Sequence, residues 1–186
     1  LYLHDVKIGV RNPQEAIRHG ITLCSEDRKA DGIVPIMSVQ ENTNISARPW
    51  HLKFKSLIDF DWEKKNASKQ KEALNVKASS LEQPIGKLSG GNQQKVILGR
   101  WLSTAMSVIL LDEPTRGIDV GAKYEIYTII NQLAADGKGV IMISSEMSEL
   151  LGMCDRIYVM NEGEIKGELA ANDASQEKIM RMILKA

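Results

Sequence analysis

The spacing of apolar and polar residues predicts a chain in which strands and helices alternate. "LYLHDVKIGV" reads as strand material, and "NPQEAIRHG" as a short helix with Asn12 as N-cap, Pro13 at the first helical position, Glu15 in the first turn and Gly20 as the stop. "ITLC" reads as a buried strand and "SEDRKADG" as a polar loop. From Val39 to about Thr104 amides, lysines and alanines dominate, and Trp62, Ala67, Leu74 and Val76 recur at loosely helical spacing, so this stretch is expected to be a helical insertion. After it, "VILLDEP" is an apolar strand ending in two carboxylates, and "AKYEIYTIINQLAADG" puts Ile126, Ile129, Ile130 and Leu133 on one helical face before Gly137. "GVIMISS" reads as another buried strand, "EMSELLGM" as a short helix, "DRIYVMNEGEIKGEL" as a hairpin turning at Asn161 to Gly163, and "SQEKIMRMILKA" as a closing helix. Strands that are apolar throughout predict cover on both faces, hence an α/β core with a mainly parallel sheet and helices on both sides. No internal repeat or low-complexity segment interrupts it.

Composition narrows the function. With 186 residues, 43% hydrophobic, 26% charged and no formal net charge, the chain has the profile of an ordinary globular protein of one domain or a little more. Bulk attraction to nucleic acid or an anionic surface is excluded as a driving force, and no nucleic-acid partner is expected. No apolar run approaches the roughly 18–20 residues needed to span a bilayer, and the first residues lack a leader pattern, so a cytosolic chain is expected. Cys24 and Cys154 have no metal-ligand spacing and are expected as buried thiols. His4, His19 and His51 share no metal spacing either, and Trp50, Trp62 and Trp101 are expected to be packing residues. The chain opens on Leu1 in strand-like text, which reads as a piece of a longer polypeptide.

The candidate chemistry lies in two segments. In "LSGGNQQK", Ser89 offers a hydroxyl donor, Gly90 and Gly91 would let backbone N–H groups approach an anion, and the following helix adds its positive end. Those features make a phosphate receptor; the alternative is a turn that merely caps a helix. At the end of "VILLDEP", Asp112 could hold Mg2+, and Glu113 could orient or deprotonate the water that attacks a γ-phosphate. A solvated loop carboxylate is the commoner meaning of such a strand end taken alone. The sequence contains no G-x-x-x-x-G-K-[ST], so it shows no loop of its own for cradling phosphates.

Taken in order, "EDRKADGIVPIMSVQENTNIS", "LSGGNQQKVILGRW", "VILLDEPTRGIDVGAKYEIY" and "ISSEMSELLGMCDRIYVM" resemble the ATP-binding cassette superfamily, over nearly the whole chain. Within it they resemble the second nucleotide-binding domain of the tandem ATPases of bacterial monosaccharide importers. "HDVKIGVRNPQEAIRHGITLCSEDRKADGIVPIMSV" and "NISAR" are most similar to the L-arabinose branch. The resemblance implies a P-loop NTPase-like core at 1–35 and 106–186, lacking its N-terminal Walker A part, and a helical subdomain at 36–105 that leans on a membrane permease. It also implies that Leu88, Ser89, Gly90, Gly91, Asn92 and Gln93 form the signature motif. Val108 to Glu113 would be the Walker B strand with Asp112 and the adjoining glutamate, and Gly117 to Asp119 the loop that meets the opposite cassette.

The implied cofactors are ATP and Mg2+. The implied partners are a second cassette in tandem in the same polypeptide, the permease and, indirectly, a periplasmic sugar-binding protein, at the cytoplasmic face of the inner membrane. The implied activity is ATP hydrolysis that drives monosaccharide import, with the glycines gripping a phosphate held by the other cassette. Two positions depart from the family pattern: Glu26 stands where a glutamine is usual, and Ser145 where a histidine contacts the γ-phosphate. A serine reaches less far and cannot carry an imidazole's charge, so this domain's own site is expected to be weak or inactive. A cassette of a non-transport ATPase, or an inactive cassette serving only as an interaction module, are the competing expectations.

Overall fold

The structure, a computed structural model, describes residues 1–184. It divides into two compact units, the first ending at Ile141 and the second starting at Met142.

In the first unit, β1 (Tyr2–Leu3) and β2 (Val6–Lys7) form a small antiparallel hairpin. Helix α1 (Pro13–Arg18) starts as its sequence predicts: Asn12 Oδ1 accepts from the Glu15 N–H at 2.9 Å, and Glu15 Oε2 accepts from the Arg11 N–H at 2.8 Å. Gly20 stops it with φ 77°, and a Cβ there would lie 2.8 Å from the Ala105 carbonyl oxygen. Strand β3 (Ile21–Cys24) follows. "SEDRKADG" is not a plain loop: Arg28–Gly32 wind into a π-helical turn capped by Asp27.

The insertion is helical, with one exception. Helix α2 (Val39–Asn44) opens on a reciprocal capping box between Ser38 and Glu41. A short hairpin of β4 (Leu52–Lys53) and β5 (Leu57–Ile58) interrupts the helical text, turning through Phe54 and Lys55, both at positive φ. Helix α3 (Phe60–Ala73) ends before Val76, so the expected helical spacing stops short of that residue. Helix α4 (Gly90–Leu102) packs on α2, α3 and β3. Arg100 is buried beside α2, where its Nε donates to the Asn42 carbonyl at 2.8 Å and Nη2 to Asn42 Oδ1 at 3.2 Å. Arg48 likewise meets the buried Glu63 at 2.6 Å.

Strand β6 (Val108–Asp112) runs parallel to β3, in register from Ile21 opposite Val108 to Cys24 opposite Leu111. Helix α5 (Val120–Ala135) buries Ile126, Ile130 and Leu133, while Ile129 is only half-buried. Strand β7 (Gly139–Ile143) then completes a three-stranded sheet ordered β3-β6-β7.

Burial varies along the three strands. Thr22, Cys24, Ile109 and Leu111 are buried, but Leu23, Ile141 and Ile143 are about half-exposed at 52%, 52% and 49%. Cys24 is buried as expected, and burial pushes its thiol up to about pKa 12, whereas Cys154 is only half-buried.

The second unit holds α6 (Met147–Met153) and the antiparallel pair β8 (Arg156–Asn161) and β9 (Glu164–Ala170), followed by α7 (Gln176–Leu184). The hairpin turns at Glu162 and Gly163, with φ 48° and 80°, the pair of positive values that suits a two-residue turn. Ile157, Val159 and Ile179 form its core with Met147, Leu150, Leu169 and Met182 packed around them. The last two residues of the expected closing helix, 185 and 186, lie outside the described residues. Among the described residues no helix is long and apolar enough to cross a membrane.

Candidate functional site

The turn into α4 is held from beneath. Leu88 is buried, and Gln93, also buried, reaches back so that Nε2 donates to the Ile85 carbonyl at 3.3 Å and to the Leu88 carbonyl at 3.1 Å. These two residues therefore shape the turn from inside. Asn92 braces it laterally: Oδ1 accepts from the Lys77 N–H at 2.7 Å, and Nδ2 donates to Ser89 Oγ at 2.8 Å.

Ser89 is exposed and occupies the N-cap position in extended conformation, yet its side chain makes no capping bond to the helix. Because Ser89 Oγ accepts from Asn92, its own O–H remains a donor to a further group. The first turn of α4 carries no acidic residue, so its positive end is not neutralised by the helix's own side chains.

The two glycines have different surroundings. A Cβ on Gly91 would lie 2.5 Å from Ala122 Cβ and 3.5 Å from Ile118 Cγ2, so the missing side chain lets α4 pack against the start of α5. Gly91 is buried. Close helix packing therefore requires a glycine at this position. Gly90 faces the site. A Cβ there would lie 2.9 Å from Arg28 Nη2 and 3.4 Å from the Gly117 carbonyl oxygen.

Three loops meet here. Arg28 Nη1 donates to the Arg116 carbonyl at 3.2 Å, and the Arg116 guanidinium pairs with Glu26. Asp27 Oδ1 accepts from the N–H groups of Lys29 and Ala30, both at 3.0 Å. A shallow cavity of about 270 Å³ is lined by Glu26, Asp27, Arg28, Lys29 and Arg116. Burial lowers the pKa of Arg28, partly opposed by the charge of Asp27. Asp119 Oδ1 caps α5 by accepting from the Ala122 N–H at 3.0 Å, which fixes its carboxylate at the end of the same loop.

Asp112 and Glu113 stand at the carboxyl end of β6, both half-buried, in the position where open α/β sheets bind ligands. Glu113 has φ 45°, left-handed backbone that a glutamate adopts only at a cost. Their donor set suits Mg2+ as a shared ion: hard carboxylate oxygens adjacent in sequence, with remaining positions left to phosphate and water. No group of three or more acidic, histidine or cysteine side chains among the described residues makes an all-protein metal cage.

The structure thus gathers Ser89, Gly90, Asn92, Glu26 and the 117–119 loop about one surface, while Leu88, Gly91 and Gln93 support it from within. Ser145 lies in the second unit and is exposed. Arg28 and Arg116 were not singled out from sequence. The available signal was Asp27 followed by main-chain donors, a capping pattern that would have turned the supposed loop into an ordered turn presenting Arg28.

A glycine-bearing helix start beside a parallel sheet defines a class of α/β proteins, and the family comparison narrows it: residues 4–116 match the family described as ABC transporter, and the chain belongs to that family. The relatives include the arabinose import ATP-binding protein AraG of Vibrio parahaemolyticus, 62% identical over 99% of this chain and 36% of its own length. The protein of the same name from Escherichia coli O6:H1 is 52% identical over the same shares. The chain spans about a third of the length of these relatives.

Among solved structures, an ATP-binding cassette of an ABC transporter in its ADP conformation superposes with TM-score 0.77 and 24% identity, covering 100% of this chain and 76% of that one. A dimeric ATP-binding cassette in a post-hydrolysis state, bound to ADP and Pi, superposes with TM-score 0.72 and 20% identity, over 91% and 72%. At that identity these two likenesses establish the fold.

Proposed function

We propose that this chain is part of an ATPase that energises monosaccharide import, L-arabinose being the sugar its relatives' names favour, and that it supplies the signature surface to an ATP site whose phosphate-cradling loop belongs to another cassette. The observation that carries this reading is the exposed Ser89 beside Gly90 at the start of α4, whose first turn carries no acidic residue and where the Ser89 hydroxyl keeps a proton to donate. Ser89 would donate its hydroxyl, and Gly90 its backbone N–H, to a phosphate brought by the partner cassette. Asp119 would meet that cassette from the adjoining loop.

In this chain's own half of the nucleotide interface, Asp112 is the residue that would hold Mg2+, usually through water, and the ion would supply charge neutralisation to the phosphates. Glu113 would hold a water in line with a phosphate. Two departures from the family pattern support weak activity of this domain's own site. Glu26, in place of the usual glutamine, is engaged by Arg116, and the sequence has Ser145 at the position where the family pattern has a histidine.

The helical part from 36 to 105 would face the membrane permease, at the cytoplasmic face of the inner membrane and without crossing it. A periplasmic sugar-binding protein would act only through that permease. ATP hydrolysis and L-arabinose uptake by the full-length protein with its permease test the reading, with Ser89→Arg as the perturbation. The expected result is loss of both activities with ATP binding retained. Undiminished hydrolysis in Ser89→Arg would refute it.

A further inference from the structure

Arg28 has no role in the reading so far, yet its side chain touches each loop that the reading uses. Its Nη1 holds the Arg116 carbonyl at 3.2 Å, on the loop leading to Asp119. Its Nη2 fills the space beside Gly90, 2.9 Å from where a Cβ would be. Its aliphatic stem lies on Gly32, whose own missing Cβ would be 2.9 Å from Ile97 Cδ1, so the π-helical turn is seated directly on α4.

The Arg116 side chain then returns to Glu26, closing a ring from 26 through 116 to 28. Arg28 Nε is buried and has no hydrogen-bond partner among the described residues. The guanidinium also stands beside the positive end of α4, whose first turn has no carboxylate to balance it. A cation kept in so costly a place needs a compensating purpose.

We propose that Arg28 is a positioning residue that locks the Ser89–Gly90 turn and the 116–119 loop into one rigid surface. The two are then presented to the partner cassette's nucleotide together. This inference rests on the cross-cassette reading above. Its physical basis is that phosphoryl transfer depends on placement, and a displacement of about 1 Å can cost on the order of a hundredfold in rate. Gly90 is a glycine here because the guanidinium occupies its side-chain space; the same contact makes the proposal testable from either side.

The experiment is a double-mutant cycle on ATP hydrolysis by the full-length protein with its permease, using Arg28→Ala, Gly90→Ala and both together, beside Arg28→Lys and Ser89→Arg. Arg28→Ala should lower turnover at saturating ATP about tenfold to a hundredfold. Half-saturating ATP should change less than about threefold, because the cradling loop is on the other cassette. Gly90→Ala should lower turnover by displacing the guanidinium, and should cost little more once Arg28 is already alanine.

Arg28→Lys should recover only part of the loss, since one ammonium cannot span both contacts. Thermal unfolding should shift little in all of these variants. Additive losses in the cycle, full rescue by lysine, or a fall in turnover matched by a fall in thermal stability would overturn the proposal. So would wild-type turnover in Arg28→Ala while Ser89→Arg is inactive. Wild-type turnover in Ser89→Arg would instead strike at the cross-cassette reading itself.

Discussion

Glu113 holds left-handed backbone, φ 45°, at the junction between β6 and the loop that carries Arg116 and Asp119. For a residue with a Cβ this conformation costs roughly 1–2 kcal/mol relative to glycine. Glycine in turn gives back about 0.5–1 kcal/mol through the greater freedom of its unfolded chain. Comparing Glu113→Gly with Glu113→Ala isolates this term, because both substitutions remove the carboxylate and whatever it contacts. The glycine variant should therefore be more stable than the alanine variant by about 0.5–1 kcal/mol.

At about 2–4 °C per kcal/mol for a chain of this size class, the gap in melting temperature should be roughly 1–4 °C. The assay is urea unfolding with unchanged denaturant slope, backed by thermal melts. Turnover cannot separate the two variants, since both lack the carboxylate. An alanine variant as stable as the glycine variant, or more so, would show that the backbone at this position is not strained and that Glu113 is not held by the fold in the way described.

Three further outcomes follow from the same contacts. Gly91→Ala should destabilise the protein by about 1–3 kcal/mol through overpacking against Ala122, and Ala122→Gly in the same chain should recover most of the loss, as read by urea unfolding. Gln93→Leu should cost about 1–3 kcal/mol, because the Leu88 carbonyl loses its Gln93 donor while the Ile85 carbonyl keeps only the Leu88 N–H; a neutral result by the same assay would contradict the role given to Gln93.

The Glu41 carboxyl is held below the ordinary glutamate range by the backbone N–H of Ser38, then by the Ser38 hydroxyl. Its contribution should be complete above the unfolded value of about 4.3 and lost as pH falls through the lower folded value. Thermal melts of wild type and Glu41→Gln should accordingly converge in that acid window and separate above it.

What the sequence made legible was local. Asn12, Pro13 and Glu15 specify α1 within one turn of chain, and Asn161 to Gly163 specify a hairpin by the φ values such a turn needs. The spacing of Ile126, Ile130 and Leu133 specifies α5, and Ser89 to Gly91 announce the start of α4. What was hidden depended on distant partners. The packing role of Gly91 cannot be read until Ala122, 31 positions along the sequence, is seen against it.

Arg28 reads as part of a polar loop until Arg116 and Gly90 converge on it. The apolar runs of β3 and β7 record a preference for burial and not what does the burying. The β4–β5 hairpin is two residues per strand, too short for any periodic signal.

The central claim is that the Ser89–Gly90 turn serves a phosphate held by another cassette. A photoreactive ATP analogue bearing its reactive group on the γ-phosphate tests this most directly, in the full-length protein with its permease, under conditions that trap the closed state. Peptide mapping should then find the label at Ser89 to Asn92, and substituting the phosphate-cradling lysine of the other cassette should abolish it. Labelling at Ser89 to Asn92 that survives that substitution, or label confined to segments outside the 88–92 turn, would contradict the account.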